Sequence, residues 1–178
     1  YYLTAMINLA GGIESVMSAS KITFPRRVIT SQPLNGTPID VHVNTYVAGT
    51  VKYTSGAIGT LFTTFDACYP DQARFEVYGS EGTLFVPDPN TFGGPVKLYR
   101  PEDKEVREIP LMYGYAENSR GLGLSDFADA LRTGRPARAD YHQTFHVLDA
   151  ITAFDRSAAT AQWIPLSTSF TRRPPMGE

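Results

Sequence analysis

From Val41 to Tyr53 the odd positions are mostly apolar (Val41, Val43, Thr45, Val47, Gly49, Val51, Tyr53), while His42, Asn44, Thr50 and Lys52 on the even positions are polar. An extended chain points successive side chains to opposite faces, so this period of two predicts a strand with one face on a core. Ser55-Gly56 then turns the chain, and residues 57–67 read as the returning strand. Thr60, Leu61, Phe62, Thr63, Thr64 and Phe65 supply the β-branched and aromatic character that suits it. Strands joined by so short a turn pair antiparallel, because a parallel pair needs a long crossover. Any fold open to this chain therefore contains an antiparallel sheet.

The flanking segments fill in the layers. Leu3, Met6, Ile7 and Ala10 recur at helical spacing, and Gly11-Gly12 stops that helix. An extended stretch runs from Ile13 to about Ile29, interrupted at Pro25, and Pro33-Leu34-Asn35-Gly36 is turn chemistry. Beyond the central pair, 74–78 and 83–86 read as strands joined by Gly79-Ser80-Glu81-Gly82, and 87–95 as a loop. Residues 96–99 and 106–109 read as a hairpin. Leu124, Phe127, Ala128 and Leu131 form one helical stripe, closed by Gly134 and Pro136. Asp140 and Gln143 have capping-box spacing, and the next helix carries Val147, Ile151, Phe154 and Ala158 on one face. Residues 163–166 are a candidate edge strand. Helices in separate runs, with no strand–helix–strand crossovers, predict an α+β fold: one large, mainly antiparallel open sheet with helices on one face. The expected organisation is a single domain over 1–166 and a loose tail over 167–178. The second sheet face carries Tyr46, Phe62, Thr64 and Tyr78, a mix that suits either a wet face or a partner surface.

Composition narrows the function. The chain has 178 residues, a formal net charge of -2, 42% hydrophobic and 19% charged residues. Arg26-Arg27 and Arg172-Arg173 are the nearest thing to a basic patch, so nucleic acid is not the expected partner. No apolar run is long enough for a membrane span. Cys68 is the single cysteine, which excludes an internal disulfide and agrees with a cytoplasmic protein. The sequence opens on Tyr1-Tyr2-Leu3 without a Met and reads as part of a longer protein.

A dinucleotide needs a glycine-rich turn between strand and helix, so that its pyrophosphate meets backbone amides. Gly121-Leu122-Gly123 does not follow a strand, and Gly79 and Gly82 lie between two strands, so no cofactor is expected on this chain. His142, His146 and Asp149 fall at i, i+4 and i+7 on one predicted helix and could hold a metal. One helix rarely supplies a whole site, so the expectation is no metal, with His146 toward the core and His142 exposed near the cap. The stretch Tyr113 to Gly121 is polar and glycine-flanked. Its Asn118 and Arg120 could hydrogen-bond sugar hydroxyls or a carboxylate, or the stretch could simply serve the helix entry.

The run Tyr-Val-Ala-Gly-Thr-Val-Lys-Tyr-Thr-Ser-Gly-Ala-Ile-Gly-Thr-Leu (46–61), then Phe-Glu-Val-Tyr-Gly-Ser-Glu-Gly-Thr-Leu (75–84), resembles the glucose-fructose oxidoreductase/inositol dehydrogenase/MocA (Gfo/Idh/MocA) family. Residues 127–136, Phe-Ala-Asp-Ala-Leu-Arg-Thr-Gly-Arg-Pro, are similar to a further motif of that family, and residues 87–96 with 117–121 look like a subgroup of sugar dehydrogenases within it. The resemblance implies a C-terminal domain whose large open sheet shapes a substrate pocket and builds dimers or tetramers. A Rossmann domain binding NAD or NADP would precede it, carrying a Glu-Lys-Pro lysine. Neither that domain nor that lysine is in this chain, so the chain alone is expected to be inactive. The family's helix-opening Asp-x-x-x-His motif would place its histidine at Tyr1, and a phenol there is a departure. It implies a pocket role for Tyr1 with possible proton relay if neighbours lower its pKa. Tyr2, Asn118 and Arg120 would bind a sugar or polyol substrate. Two other readings stay open: a self-associating or protein-interaction module built on the sheet, and a sugar-binding module without a cofactor.

Overall fold

A computed structural model describes residues 1–68 and 75–176. Three helices and ten strands follow in the order α1 (Tyr2–Ala10), β1 (Ile13–Lys21), β2 (Arg26–Val28), β3 (Pro38–Asp40), β4 (Tyr46–Tyr53), β5 (Ile58–Thr64), β6 (Glu76–Gly79), β7 (Gly82–Phe85), β8 (Val96–Tyr99), β9 (Val106–Ile109), α2 (Leu122–Thr133), α3 (Tyr141–Thr160) and β10 (Ile164–Pro165). Every strand pair among them is antiparallel. The α+β class and the open antiparallel pairing are as the sequence predicts, although the described strands fall into three sheets and not one large one. The strands pair as β10-β1-β4-β5, β2-β3 and β6-β7-β8-β9. The extended stretch after Ile13 divides at Ile22, and the alternating run that begins at Val41 joins the sheet only from Tyr46. Of the expected strand at 74–78, Arg74 lies outside the described residues.

The chain forms two compact units. The larger comprises Met6–Cys68 and Tyr141–Arg172. Here β1 and β4 run in register from Ser15↔Lys52 to Lys21↔Tyr46, and α3 packs across β1. Ile7, Val16 and Val51 are 0% exposed, and Ile13 2%. Burying each such side chain stabilises the fold by about 2 kcal/mol. Helix α3 lies close because β4 is notched: a Cβ at Gly49 would stand 2.5 Å from the Met17 carbonyl oxygen and 2.7 Å from the Phe154 ring. On the other face Tyr46 and Phe62 meet edge to face, ring centroids 5.1 Å apart, with Phe62 60% exposed.

The buried seam of α3 differs from the expected apolar stripe. Gln143, His146, Asp149, Ala150, Ala153, Phe154 and Ser157 are buried, whereas Ile151 is 48% exposed. Small residues let the helix approach the sheet, and the polar ones find partners there. The register slips between Ile13 and Ser15, and the Ile13 N–H donates to Nε2 of His146 at 2.9 Å. Ser157 Oγ accepts from the Ser18 N–H at 2.9 Å, and Ser18 Oγ donates to the Phe154 carbonyl at 2.6 Å. Asp149 Oδ2 accepts from the N–H and hydroxyl of both Ser167 and Thr168 at 2.8–3.1 Å. The start of the segment read as a loose tail is thus tied to α3.

The smaller unit comprises Tyr1–Ala5, Tyr69–Asp140 and Arg173–Glu178. Its described strands form the β6–β9 meander. The predicted apolar stripe of α2 faces solvent: Leu124 is 74%, Phe127 52% and Leu131 72% exposed, while Asp126 and Ala130 are buried. The buried carboxylate is the reason, since Asp126 accepts the Arg138 N–H at 2.9 Å and an Arg135 guanidinium N–H at 2.8 Å. No helix among the described residues is long and apolar enough to cross a membrane.

Candidate functional site

Within the smaller unit, an open groove of about 410 Å³ lies among residues 86–94, 111–116 and Pro175-Met176. Its wall after β7 is a short rigid loop. Pro87 and Pro89 fix φ on either side of Asp88, whose Oδ1 accepts the Asn90 N–H at 2.9 Å, while the Asp88 carbonyl accepts the Thr91 N–H at 2.9 Å. Gly93 lets this loop touch the next: a Cβ there would stand 2.6 Å from the Ala116 carbonyl oxygen. Phe92, Tyr113 and Tyr115 give the lining flat aromatic surface. Among the described residues, Asp88 is its one charged side chain. An apolar and aromatic cleft with a few placed polar groups is the usual form of a small-molecule site.

The structure brings two of the sequence-derived residues to this groove's lining residues. Tyr2, in the first turn of α1, donates its hydroxyl to Asp88 Oδ1 at 2.9 Å. That bond, with burial and the carboxylate's charge, raises the phenol's pKa, so Tyr2 is a neutral donor and not a phenolate base. Arg120 lies over the Phe92 ring, its guanidinium carbon 5.7 Å from the centroid. Tyr1 is 78% exposed and Asn118 is exposed. Ser119 does serve the helix entry, since its hydroxyl donates to the Glu117 carbonyl at 2.9 Å and its own carbonyl accepts the Leu122 N–H at 3.0 Å. Asp88 and Phe92 were not singled out from the sequence. The Pro-Asp-Pro-Asn run (87–90), an acidic residue held between two prolines, is the signal that could have found Asp88.

The three candidate metal ligands on α3 do not converge. His142 is exposed and His146 is 0% exposed, with both ring nitrogens engaged. Nε2 accepts from Ile13, so the proton sits on Nδ1, which meets Thr168 Oγ1 at 2.8 Å, and that hydroxyl donates to Asp149. Burial keeps the His146 pKa below its ordinary value, although Asp149 and the Thr168 bond pull it up. No strand among the described residues runs through a glycine-rich turn directly into a helix.

Residues 1–85 match the family model described as the GFO/IDH/MocA C-terminal domain. No curated protein matches the sequence. Among solved structures, the apo form of levoglucosan dehydrogenase aligns over 93% of this chain and 50% of its own, with 20% identity and a TM-score of 0.72. An NAD binding oxidoreductase from Klebsiella pneumoniae aligns over 94% of this chain and 49% of its own, with 17% identity and a TM-score of 0.73. Aldose-aldose oxidoreductase from Caulobacter crescentus aligns over 93% and 45%, with 17% identity and a TM-score of 0.70. At such identities the likeness is one of fold, and the chain spans about half the length of the structures it matches. The sequence over residues 1–85 is similar to the C-terminal domain of the GFO/IDH/MocA oxidoreductases, and nearly the whole chain shares the fold of these solved oxidoreductases.

Proposed function

We propose that this chain, as one domain over 1–166 with a tail over 167–178, is the substrate-pocket and oligomerisation part of an NAD(P)-dependent sugar or polyol dehydrogenase, inactive without a Rossmann domain. The observation that carries the reading is the groove: Tyr2 bonded to Asp88 on one wall, Arg120 against Phe92, and aromatic surface between. Levoglucosan dehydrogenase, a neighbour in fold, has been solved in complex with NADH and levoglucosan.

In this reading a nicotinamide cofactor bound outside this chain would provide the hydride chemistry. The chain's own residues bind and orient the sugar. Asp88 Oδ2 accepts a sugar hydroxyl while Oδ1 stays bonded to Tyr2. The Tyr2 oxygen, whose proton is committed to Asp88, accepts a second hydroxyl. Asn118 and Arg120 donate to the polar groups that remain, and the aromatic lining covers the C–H face of the ring. Tyr1 contributes from the rim as a pocket residue or proton relay. The open face carrying Tyr46 and Phe62 builds the dimer or tetramer, and the enzyme works in the cytoplasm.

Calorimetric titration of NAD and NADP into this chain and into the full-length gene product tests the assignment. Binding by the full-length protein alone supports it. No binding by either overturns it in favour of an interaction module built on the exposed aromatic sheet face. Steady-state kinetics then tests the residues: unchanged kcat/KM in both Asn118→Ala and Arg120→Ala removes them from the site.

A further inference from the structure

The third wall of the groove is Pro175-Met176, and its attachment is specific. Consecutive prolines at 174 and 175 offer two carbonyl acceptors and no N–H donor, so this segment cannot be held through its own amides. One guanidinium supplies what they lack. Arg138 donates from Nε to the Pro174 carbonyl at 3.1 Å and from Nη2 to the Pro175 carbonyl at 3.2 Å. Its Nη1 bonds to Asp126 Oδ1, and its backbone N–H donates to Asp126 Oδ2 at 2.9 Å. Asp126 is 6% exposed, and the Arg138 N–H bond, with the guanidinium bonds of Arg135 and Arg138, lowers its pKa to about 2 against the opposing effect of burial. The carboxylate is therefore charged throughout the physiological range and fixes the guanidinium. One residue earlier in the segment, Arg173 Nη2 donates to Asp140 Oδ2 at 2.8 Å. A stiff diproline held at both carbonyls and flanked by a second ion pair is a preordered strap.

We propose that the 173–176 segment is the specificity-determining wall of the substrate groove, with Met176 setting the size of sugar admitted and Arg138 acting as the positioning residue. The inference rests on the groove being the substrate site proposed above. Met176 is half-buried against the groove, and a thioether there closes the space by packing while contributing no strong hydrogen bond. The wall therefore discriminates by size, whereas Asp88 and Arg120 discriminate by hydroxyl position.

The test uses the full-length gene product with two probe sugars, levoglucosan and maltose, and follows reduction of the nicotinamide cofactor. Met176→Ala is expected to raise the maltose-to-levoglucosan ratio of kcat/KM by about tenfold, the range a few missing groups give in a shaped pocket. Arg138→Lys keeps a charge for Asp126 but cannot span both carbonyls. It is expected to shift the same ratio through KM with kcat for levoglucosan nearly constant, whereas loss of folded enzyme would lower both sugars alike. Asp88→Asn separates the two readings. If it lowers kcat/KM while Met176→Ala leaves the ratio within about twofold, the groove stands and the strap is overturned. If neither substitution changes either sugar's kcat/KM, or the enzyme oxidises neither sugar, both are overturned.

Discussion

The buried network under α3 in the larger unit and the groove of the smaller unit use their polar groups in opposite ways. In the larger one, His146, Asp149 and Ser157 are buried and accept backbone N–H groups: His146 and Ser157 tie β1 to α3, and Asp149 ties α3 to the segment after β10. In the groove region, Tyr2, Asn118 and Arg120 are exposed, and the hydrogen bonds around Asp88 and Ser119 shape loops, with Asp88 lining the groove. A satisfied buried network stabilises one arrangement, because removing a partner strands another group away from water. Polar groups at an open cleft contribute little to stability and remain available to a ligand. Under the proposed function, the contrast assigns structural work to the buried network of the larger unit and recognition to the groove of the smaller one.

Substitutions can break that contrast. His146→Ala should cost about 3 kcal/mol in urea unfolding, since it opens a cavity and leaves the Ile13 N–H without its acceptor. A loss under about 1 kcal/mol would mean the network is not what joins α3 to β1. Asp149→Ala should cost about 2 kcal/mol by stranding the Ser167 and Thr168 amides.

The pH profile sharpens the same point. The His146 pKa is lowered by folding, so the unfolded chain takes up the proton first as pH falls below the ordinary 6.5. Stability should therefore be full above that value and decline below it, and His146→Gln should flatten this limb. Asp149 is pushed up by burial, but the Ser167 and Thr168 donors outweigh that and hold its pKa below the ordinary 3.8. Its contribution is present above that value and is lost as pH falls through the lowered folded-state pKa. Acid unfolding monitored by circular dichroism should thus show a first decline that His146→Gln removes and a second that it does not. Tyr2→Phe marks the small end of the scale. It should change stability by less than about 0.5 kcal/mol, and a larger loss would move Tyr2 from recognition to structure.

How much of this was legible in the sequence follows the same division. Alternation located β4, and the turn chemistry of Ser55-Gly56 located its partner, because a half-buried strand must alternate whatever packs on it. The helices were found, but the buried face of α2 was misread. Leu124, Phe127 and Leu131 are more apolar than Asp126 and Ala130, yet the latter pair is buried, because an arginine pair arriving from nine and twelve residues later satisfies the carboxylate. No local pattern announces such a partner. The same holds for His146, whose acceptor role depends on an amide freed by a register slip in a distant strand. Around the groove, Asp88 becomes notable only once Tyr2 is seen to reach across 86 positions of chain to bond it.

Gly49 lends itself to a different kind of reading. Its neighbour Thr50 looks to the opposite side of the sheet, and the notch it leaves is filled by the Met17 carbonyl and the Phe154 ring. A library randomised across this strand and selected only for folding should return glycine at 49 almost without exception and a broad alphabet at 48 and 50. The same library selected for an assembled oligomer should narrow 48 and 50 as well if that face is shared between copies. Two sequencing runs would then separate what the helix demands of this strand from what a neighbour demands of it.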